Sequence, residues 1–433
     1  MKVFIETYGC QMNVSDSELV NSILLGNKFD IAENIEEADV IIFNTCSVRQ
    51  HAEDRVMGRI NNEMNRKTRK KHMKIGVIGC MAQRLGDELK NKSKGIDFVV
   101  GVDQYKKLPD IIMNLFDDPK FYKEVNVNNE EVYNDLYPRH TGELNAFVTI
   151  MRGCNNFCSY CIVPYTRGRE RSRPMQEILE EIRKVGEEGF KDVTLLGQNV
   201  NSYNYEGLNF AQLLREANKI DTIKRVRFVT SHPKDLTDDV IEAIASSDKV
   251  CEHAHIALQS GDNDILERMN RGYTIEHFMD IVYKLRKAMP GFAITTDIIA
   301  GFPGETEEQF MKTYEAMEKI EFDYAFTFKY SPREGTKAAE FTDQVEEPVR
   351  LARLQKLIDL QTRITTRKYK DQVGKTKEIY VKKVSKKNPD EMAGKSRDFK
   401  ITVFKGTPDL IGKFVKVKIT EASGWTLRGE LVD

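Results

Sequence analysis

The sequence predicts an α/β protein in three parts: an N-terminal open parallel-sheet domain, a central complete or partial β/α barrel, and a small all-β, OB-like barrel at the C-terminus. Three observations predict it. At 433 residues the chain is longer than one hydrophobic core usually grows. Apolar runs alternate with amphipathic helical segments through most of its length, the pattern of parallel strands covered on both faces. From Gly374 the pattern changes to short alternating strands with Gly and Asp turns, carrying 14 Lys/Arg against 8 Asp/Glu in a chain of formal net charge −1.

In the N-terminal part, "KVFIETYGC", "ADVIIFNTC" and "MKIGVIGC" are apolar runs that end at Cys10, Cys46 and Cys80. The intervals of 36 and 34 residues suit a strand-plus-helix unit. Strands of a parallel sheet end at one edge, so the three cysteines are expected together at the carboxyl edge, where open α/β sheets bind ligands. A fourth run, "IDFVVGV", precedes the amphipathic "QYKKLPDIIMNLF". The polar stretch 118–143 reads as a connection.

Six further strand candidates follow: "NAFVTIMRG", "DVTLLGQNV", "RVRFVTSHP", "HAHIALQSG", "FAITTDIIAGFPG" and "DYAFTFKYSP". Helical patterns lie between them, which predicts the barrel and places its site on the loops after the strands. A charged helix over roughly Glu346 to Tyr369 leads to the C-terminal strands "KTKEIYVKKVSK", "DFKITVFKG", "FVKVKITEAS" and "WTLRGELV". An OB-like shape with lysine-studded strands points to a polyanion such as RNA.

No apolar stretch approaches the length of a membrane span, and the start lacks a signal-peptide core, so the expected location is cytoplasmic, with no membrane partner. Seven cysteines in a reducing compartment favour metal or catalytic roles over disulfides. Cys251 reads as a core residue.

Cys154, Cys158 and Cys161 form C-x-x-x-C-x-x-C after the first barrel strand. Structural zinc wants four ligands, and the nearest histidines, His140 and His232, are not local. Three thiolates suit a [4Fe-4S] cluster with one iron open to a substrate or cofactor. The spacing, with Tyr160 just before the third cysteine and a β/α barrel around it, resembles the radical S-adenosylmethionine enzymes. The resemblance implies that S-adenosylmethionine binds the open iron, and that Tyr160, Gln198, Ser231, Gln259, Ser260 and Asp297, at or near strand ends, bind the cofactor. It assigns no catalytic side chain beyond the cluster ligands.

A second set of three cysteines in the same chain resembles the methylthiotransferase family, whose members carry an N-terminal cluster domain, a radical S-adenosylmethionine barrel and a C-terminal TRAM domain for RNA. The likeness covers essentially the full length. It implies two [4Fe-4S] clusters, one on Cys10, Cys46 and Cys80, the other on Cys154, Cys158 and Cys161. It also implies domains at 1–118 and 140–371, a linker at 119–139, and a TRAM domain at 372–433. "TYGCQMNVSDSE", "NTCSVRQHAEDRV" and "CNNFCSYCIVPYTRGRERSRP" resemble the branch that methylthiolates C2 of N6-isopentenyladenosine at position 37 of tRNA, with S-adenosylmethionine as both methyl donor and radical source. Gln11-Met12 stands where the branches acting on threonylcarbamoyl-adenosine tRNA or a ribosomal-protein aspartate carry lysine-valine or proline-lysine. Those substrates, or a non-catalytic Fe-S RNA-binding protein, are the alternatives. Implied partners are the tRNA anticodon stem-loop, an electron donor such as flavodoxin or ferredoxin, and a sulfur or Fe-S cluster carrier. Candidate RNA contacts are 66–74, 363–370 and the C-terminal lysines; Arg167, Arg169 and Arg171 could meet RNA or anchor the loop by ion pairs.

Overall fold

The computed structural model describes residues 1–47, 50–70, 72–141 and 144–432. Val48 and Arg49 of the second cysteine motif, and Lys71 of the basic run 66–74, lie outside the described residues.

Six parallel strands form the N-terminal sheet: β1 (Lys2–Tyr8), β2 (Asp30–Ile31), β3 (Val40–Thr45), β4 (Lys74–Gly79), β5 (Phe98–Val100) and β6 (Tyr122–Glu124), in the order β2-β1-β3-β4-β5-β6. Alternation along β3 shows why it is apolar throughout. Val40 and Ile42 join a core with Leu19, Ile23 and Ile112 on one face, while Ile41 and Phe43 join Val56, Ile60 and Met81 on the other. Part of the segment expected as a linker therefore belongs to the sheet: β6 extends its edge by pairing with β5. Its sequence, YKE, has a single half-buried aromatic and too little apolar character to announce a strand.

The barrel strands are Asn145–Thr149, Asp192–Leu196, Arg225–Phe228, His253–His255, Ala293–Ala300 and Tyr324–Lys329. They form two parallel three-stranded sheets, joined by bridges at Val226–Val250 and Ser231–Ile256. Among the described residues no ladder joins the first strand to the sixth, so the barrel is partial. Helices such as Met175–Glu187, Ile275–Ala288 and Glu307–Ile320 cover its outside and close one continuous core.

Helix Glu347–Lys370 leads into a closed five-stranded barrel. One of its strands, Glu391–Ser396, is absent from the sequence expectation. Gly394 in "EMAGKS" breaks the alternation because a Cβ there would lie 2.2 Å from the Tyr380 carbonyl of the neighbouring strand. This barrel docks on the amino ends of the central strands. Arg225 donates to the Lys395 carbonyl at 2.8 Å, Arg227 to the Ser396 carbonyl at 2.9 Å, and Lys400 pairs with Asp323 at 2.9 Å.

Candidate metal centres and the cleft between them

The ends of β1, β3 and β4 are neighbours, with Tyr8 in register with Thr45 and Thr45 with Gly79. Cys10, Cys46 and Cys80 follow directly, so topology alone brings them to one edge. Local polar contacts then set the loops. Asn13 donates to Asn44 Oδ1 at 3.1 Å, and Asn44 returns a bond to the Asn13 carbonyl at 2.8 Å, clasping the first helix to the end of β3. Arg84 holds Ser47 and Glu53, both at 2.7 Å, behind Cys46. At Gly79, φ is +93° and a Cβ would meet Asn44 Oδ1 at 2.5 Å, so the residue before Cys80 is glycine by necessity.

The second set lies on one loop. The Cys154 N–H donates to the Gly168 carbonyl at 3.2 Å, the Cys161 N–H to the Cys158 carbonyl at 2.9 Å, and the Ser159 N–H to the Met269 carbonyl at 3.0 Å. Asn270 donates to the carbonyls of Asn156 and Phe157, each at 3.0 Å. Buried Arg271, which sequence reading missed, donates to Cys158 Sγ at 3.2 Å and to the Ala257 carbonyl at 2.7 Å; the only hint of it was the turn "RGY" after a helix. Gly153, before the first cysteine, has φ +76°, and a Cβ there would lie 1.9 Å from the Arg169 carbonyl.

Of the arginines after the triplet, Arg167 and Arg171 are buried against protein, while Arg169 is exposed, its guanidinium 4.3 Å from the Phe157 ring centroid. Arg167 Nη2 binds Asp16 at 2.7 Å and its Nε lies 3.2 Å from Cys80 Sγ; Arg152 binds the other Asp16 oxygen at 2.8 Å. Burial pushes the Asp16 carboxyl up, but Arg167 and Arg152 outweigh it and hold it below the usual carboxylate range. Arg171 pairs with Asp103 at 3.1 Å. These contacts seat the N-terminal sheet's carboxyl edge on the carboxyl edge of the barrel, and Arg167 links the segment after the triplet to Cys80.

The donor chemistry fits iron-sulfur ligation. Burial pushes the Cys161 thiol up to about 12 and also raises Cys154 and Cys80. Thiolates here therefore need a cation beside them. Cys10 differs: its hydrogen bond with Cys46 pulls it down to about 6 against desolvation, with Arg167 adding to the pull. Among the described residues no three His, Cys, Asp or Glu side chains converge closely enough to share one ion. Ligands of a cluster each bind a separate iron and stand further apart than ligands of one ion.

Buried polar atoms at the strand ends fit a polar cofactor. Gln198 Oε1, Ser231 Oγ and His232 Nε2 have no protein hydrogen-bond partner. Gln259 sits at φ +70°, and its backbone bridges to the fifth strand through Asp297 and Ile299. Asp297 lies in the lumen, 3.2 Å from His255 Nε2, and the Tyr160 hydroxyl is 3.5 Å from Arg271. Ser260 departs from expectation. Its hydroxyl lies 3.2 Å from Thr313 Oγ1 on an outer helix and also accepts the Asp262 N–H, so it packs that helix and does not face the lumen.

The basic runs are partly tied up in ion pairs and partly exposed: Arg69, Arg363, Arg367 and Lys370 are exposed. Lys67 pairs with Asp97, Arg66 with Glu36 and Glu63, Lys368 with Asp323, and Lys382 and Lys400 dock the C-terminal barrel. Lys375, Lys383, Lys386, Lys387, Lys405, Lys416 and Lys418 are exposed.

Comparison with known proteins agrees with this architecture. The Radical SAM superfamily matches residues 148–317, Uncharacterized protein family UPF0004 residues 2–101, and the TRAM domain residues 370–432. The radical SAM match implies one [4Fe-4S] cluster and S-adenosylmethionine. In fold the chain is similar to the radical S-adenosylmethionine methyltransferase TsrM of Kitasatospora setae (TM-score 0.57, 12% identity, 75% of this chain and 72% of that one). It is also similar to the cobalamin-dependent enzyme OxsB (TM-score 0.54, 11% identity, 84% of this chain and 56% of that one). In sequence it is similar to proteins named tRNA-2-methylthio-N(6)-dimethylallyladenosine synthase. That of Thermoanaerobacter pseudethanolicus is 46% identical over 99% of this chain and 92% of its own length; that of Clostridium novyi is 46% identical over 100% and 96%. No described helix is long and apolar enough to cross a membrane. With such identity across nearly the whole of both chains, this chain belongs to the tRNA-2-methylthio-N(6)-dimethylallyladenosine synthase family.

Proposed function

We propose that the protein is an enzyme that methylthiolates C2 of N6-isopentenyladenosine at position 37 of tRNA, with S-adenosylmethionine as methyl donor and radical source. The observation that carries this reading is the contact between the two cysteine segments: Arg167, from the segment after the radical triplet, touches Cys80 of the other set. Cys154, Cys158 and Cys161 would hold one [4Fe-4S] cluster and Cys10, Cys46 and Cys80 a second. When bound, these groups supply one-electron cleavage of S-adenosylmethionine to a radical, and a sulfur source for C2.

The chain's own residues bind, orient and shield. Arg271 fixes Cys158 against the fourth strand, and the Asp16 bridge keeps the two cysteine sets in one frame. Gln198, Ser231, Gln259 and Asp297 would bind S-adenosylmethionine; the unpartnered Gln198 Oε1 and Ser231 Oγ support this reading. Unpaired anticodon-loop bases can be splayed into a protein cleft, which a duplex base cannot. An electron donor such as flavodoxin or ferredoxin and a sulfur or cluster carrier complete the system, in the cytoplasm. Mass spectrometry of digested tRNA from a deletion strain tests the reading: 2-methylthio-isopentenyladenosine should disappear, and its persistence would sink the assignment.

A further inference from the structure

The partial barrel leaves one inner strand face open. Among the described residues the sixth strand, Tyr324–Lys329, pairs only with the fifth. Its outer face is conventional, with Ala325 in the core beside Leu357 and Leu360 of the long helix. Its inner face carries Tyr324 and Phe326, two residues apart and so on the same side.

These rings continue in both directions. Trp425, the chain's one tryptophan, sits at the turn between the last two strands and meets Tyr324 with centroids 5.1 Å apart. Tyr324 meets Phe326 at 4.7 Å, and Phe326 meets His255 at 5.9 Å. The row therefore runs from the C-terminal barrel to the His255–Asp297 pair in the lumen. Core packing does not explain it, because Trp425 is 49% and Phe326 42% exposed.

Two features select the occupant. The rings meet edge to face, at 76°, 76° and 65°, so each contact covers one face of one ring and leaves the other ring's faces open. A cation stands beside the row: Phe399, stacked on His253 at 4.6 Å, lies under the Lys395 ammonium at 3.9 Å, and His253 shares the Thr295 hydroxyl with His255. An apolar protein partner would not call for this charge. Exposed rings beside a cation match the flat bases and phosphates of an unpaired nucleic-acid strand.

We infer that the row Trp425, Tyr324, Phe326 and His255 is a stacking platform for unpaired bases flanking the target nucleotide, guiding the RNA loop from the C-terminal barrel into the lumen. This rests on the tRNA reading above. The lone tryptophan supplies the test. The full-length protein is titrated with an anticodon stem-loop RNA carrying isopentenyladenosine and with a fully paired duplex of equal length.

The stem-loop should quench Trp425 emission and the duplex should leave it unchanged. Phe326→Ala and Trp425→Ala should each weaken stem-loop affinity about tenfold, the loss of one stacked base, while duplex affinity shifts less than about twofold. Trp425→Phe and Phe326→Tyr, which keep a ring, should restore most of the affinity, so that a loss from misfolding is told apart. Methylthiolation of the stem-loop with silent Trp425 emission and unchanged affinities in both alanine variants would overturn the platform and leave the proposed function standing. Equal quenching by duplex would also overturn it. Quenching by unpaired RNA with no methylthio product would support the platform while the proposed function fell.

Discussion

The two cysteine sets are assembled by opposite routes. Cys154, Cys158 and Cys161 are neighbours in sequence, and their loop is hung on Met269, Asn270 and Arg271 of a distant segment. Cys10, Cys46 and Cys80 are far apart in sequence and meet only because β1, β3 and β4 are adjacent parallel strands. The first set is local in its ligands and non-local in its support; the second is the reverse. A compact motif therefore survives errors of topology but depends on what braces it, whereas a scattered one exists only once the sheet has formed.

The sharpest way to separate them is to remove one ligand from each. Cys158→Ala should abolish 5′-deoxyadenosine formation from S-adenosylmethionine, whereas Cys80→Ala should retain it and lose the methylthio product. Each variant should bind about four irons per chain instead of about eight, counted after anaerobic reconstitution. If Cys80→Ala also stopped 5′-deoxyadenosine formation, the division of labour would fail.

Next in size is the bridge between them. Asp16→Ala leaves Arg152 and Arg167 buried without their partner and should cost about 3–5 kcal/mol in urea unfolding. A loss under about 1 kcal/mol would mean that the two arginines find water or another acceptor.

The glycines that precede Cys80 and Cys154 give a smaller, graded contrast. Gly153→Ala drives a Cβ into the Arg169 backbone carbonyl, which cannot swing away, while Gly79→Ala meets first the Asn44 side chain. Both adopt left-handed φ, so each should cost about 1–3 kcal/mol, Gly153→Ala the more, as seen by thermal unfolding. The reverse order would show the scattered set to be the more tightly built.

The smallest effect near neutral pH is expected at the seam with the C-terminal barrel. Burial pushes Asp323 and Asp398 up, but Lys400 with Lys368, and Lys400 with Lys377, outweigh it and leave both carboxyls below their ordinary range. Depressed carboxylates contribute stability that is full above their unfolded value of about 3.9 and is lost as pH falls through the folded values. The seam should hold down to about pH 4 and loosen below it, followed by Trp425 emission. Loosening already at about pH 6 would place its strength in other groups.

Strand positions were legible because apolar runs are local signals, and the common edge of Cys10, Cys46 and Cys80 followed from them. Arg271, Asp16 and the partner of Arg167 were not, since each contact spans more than a hundred residues of chain. Two of the C-terminal lysines were not legible for a related reason. Charge in a sequence does not say which side of a barrel faces protein, and Lys382 and Lys400 turn inward to Asp192 and Asp323. Ser260 shows the same limit at a strand end, its hydroxyl taken by an outer helix.

The C-terminal barrel grips the amino ends of the central strands, while the cysteines gather at the opposite ends. A strand of six residues such as Tyr324–Lys329 spans about 20 Å. The molecule is thus a caliper with fixed jaws: a nucleoside or dinucleotide can touch one jaw, but only an RNA arm at least that long can rest on both at once.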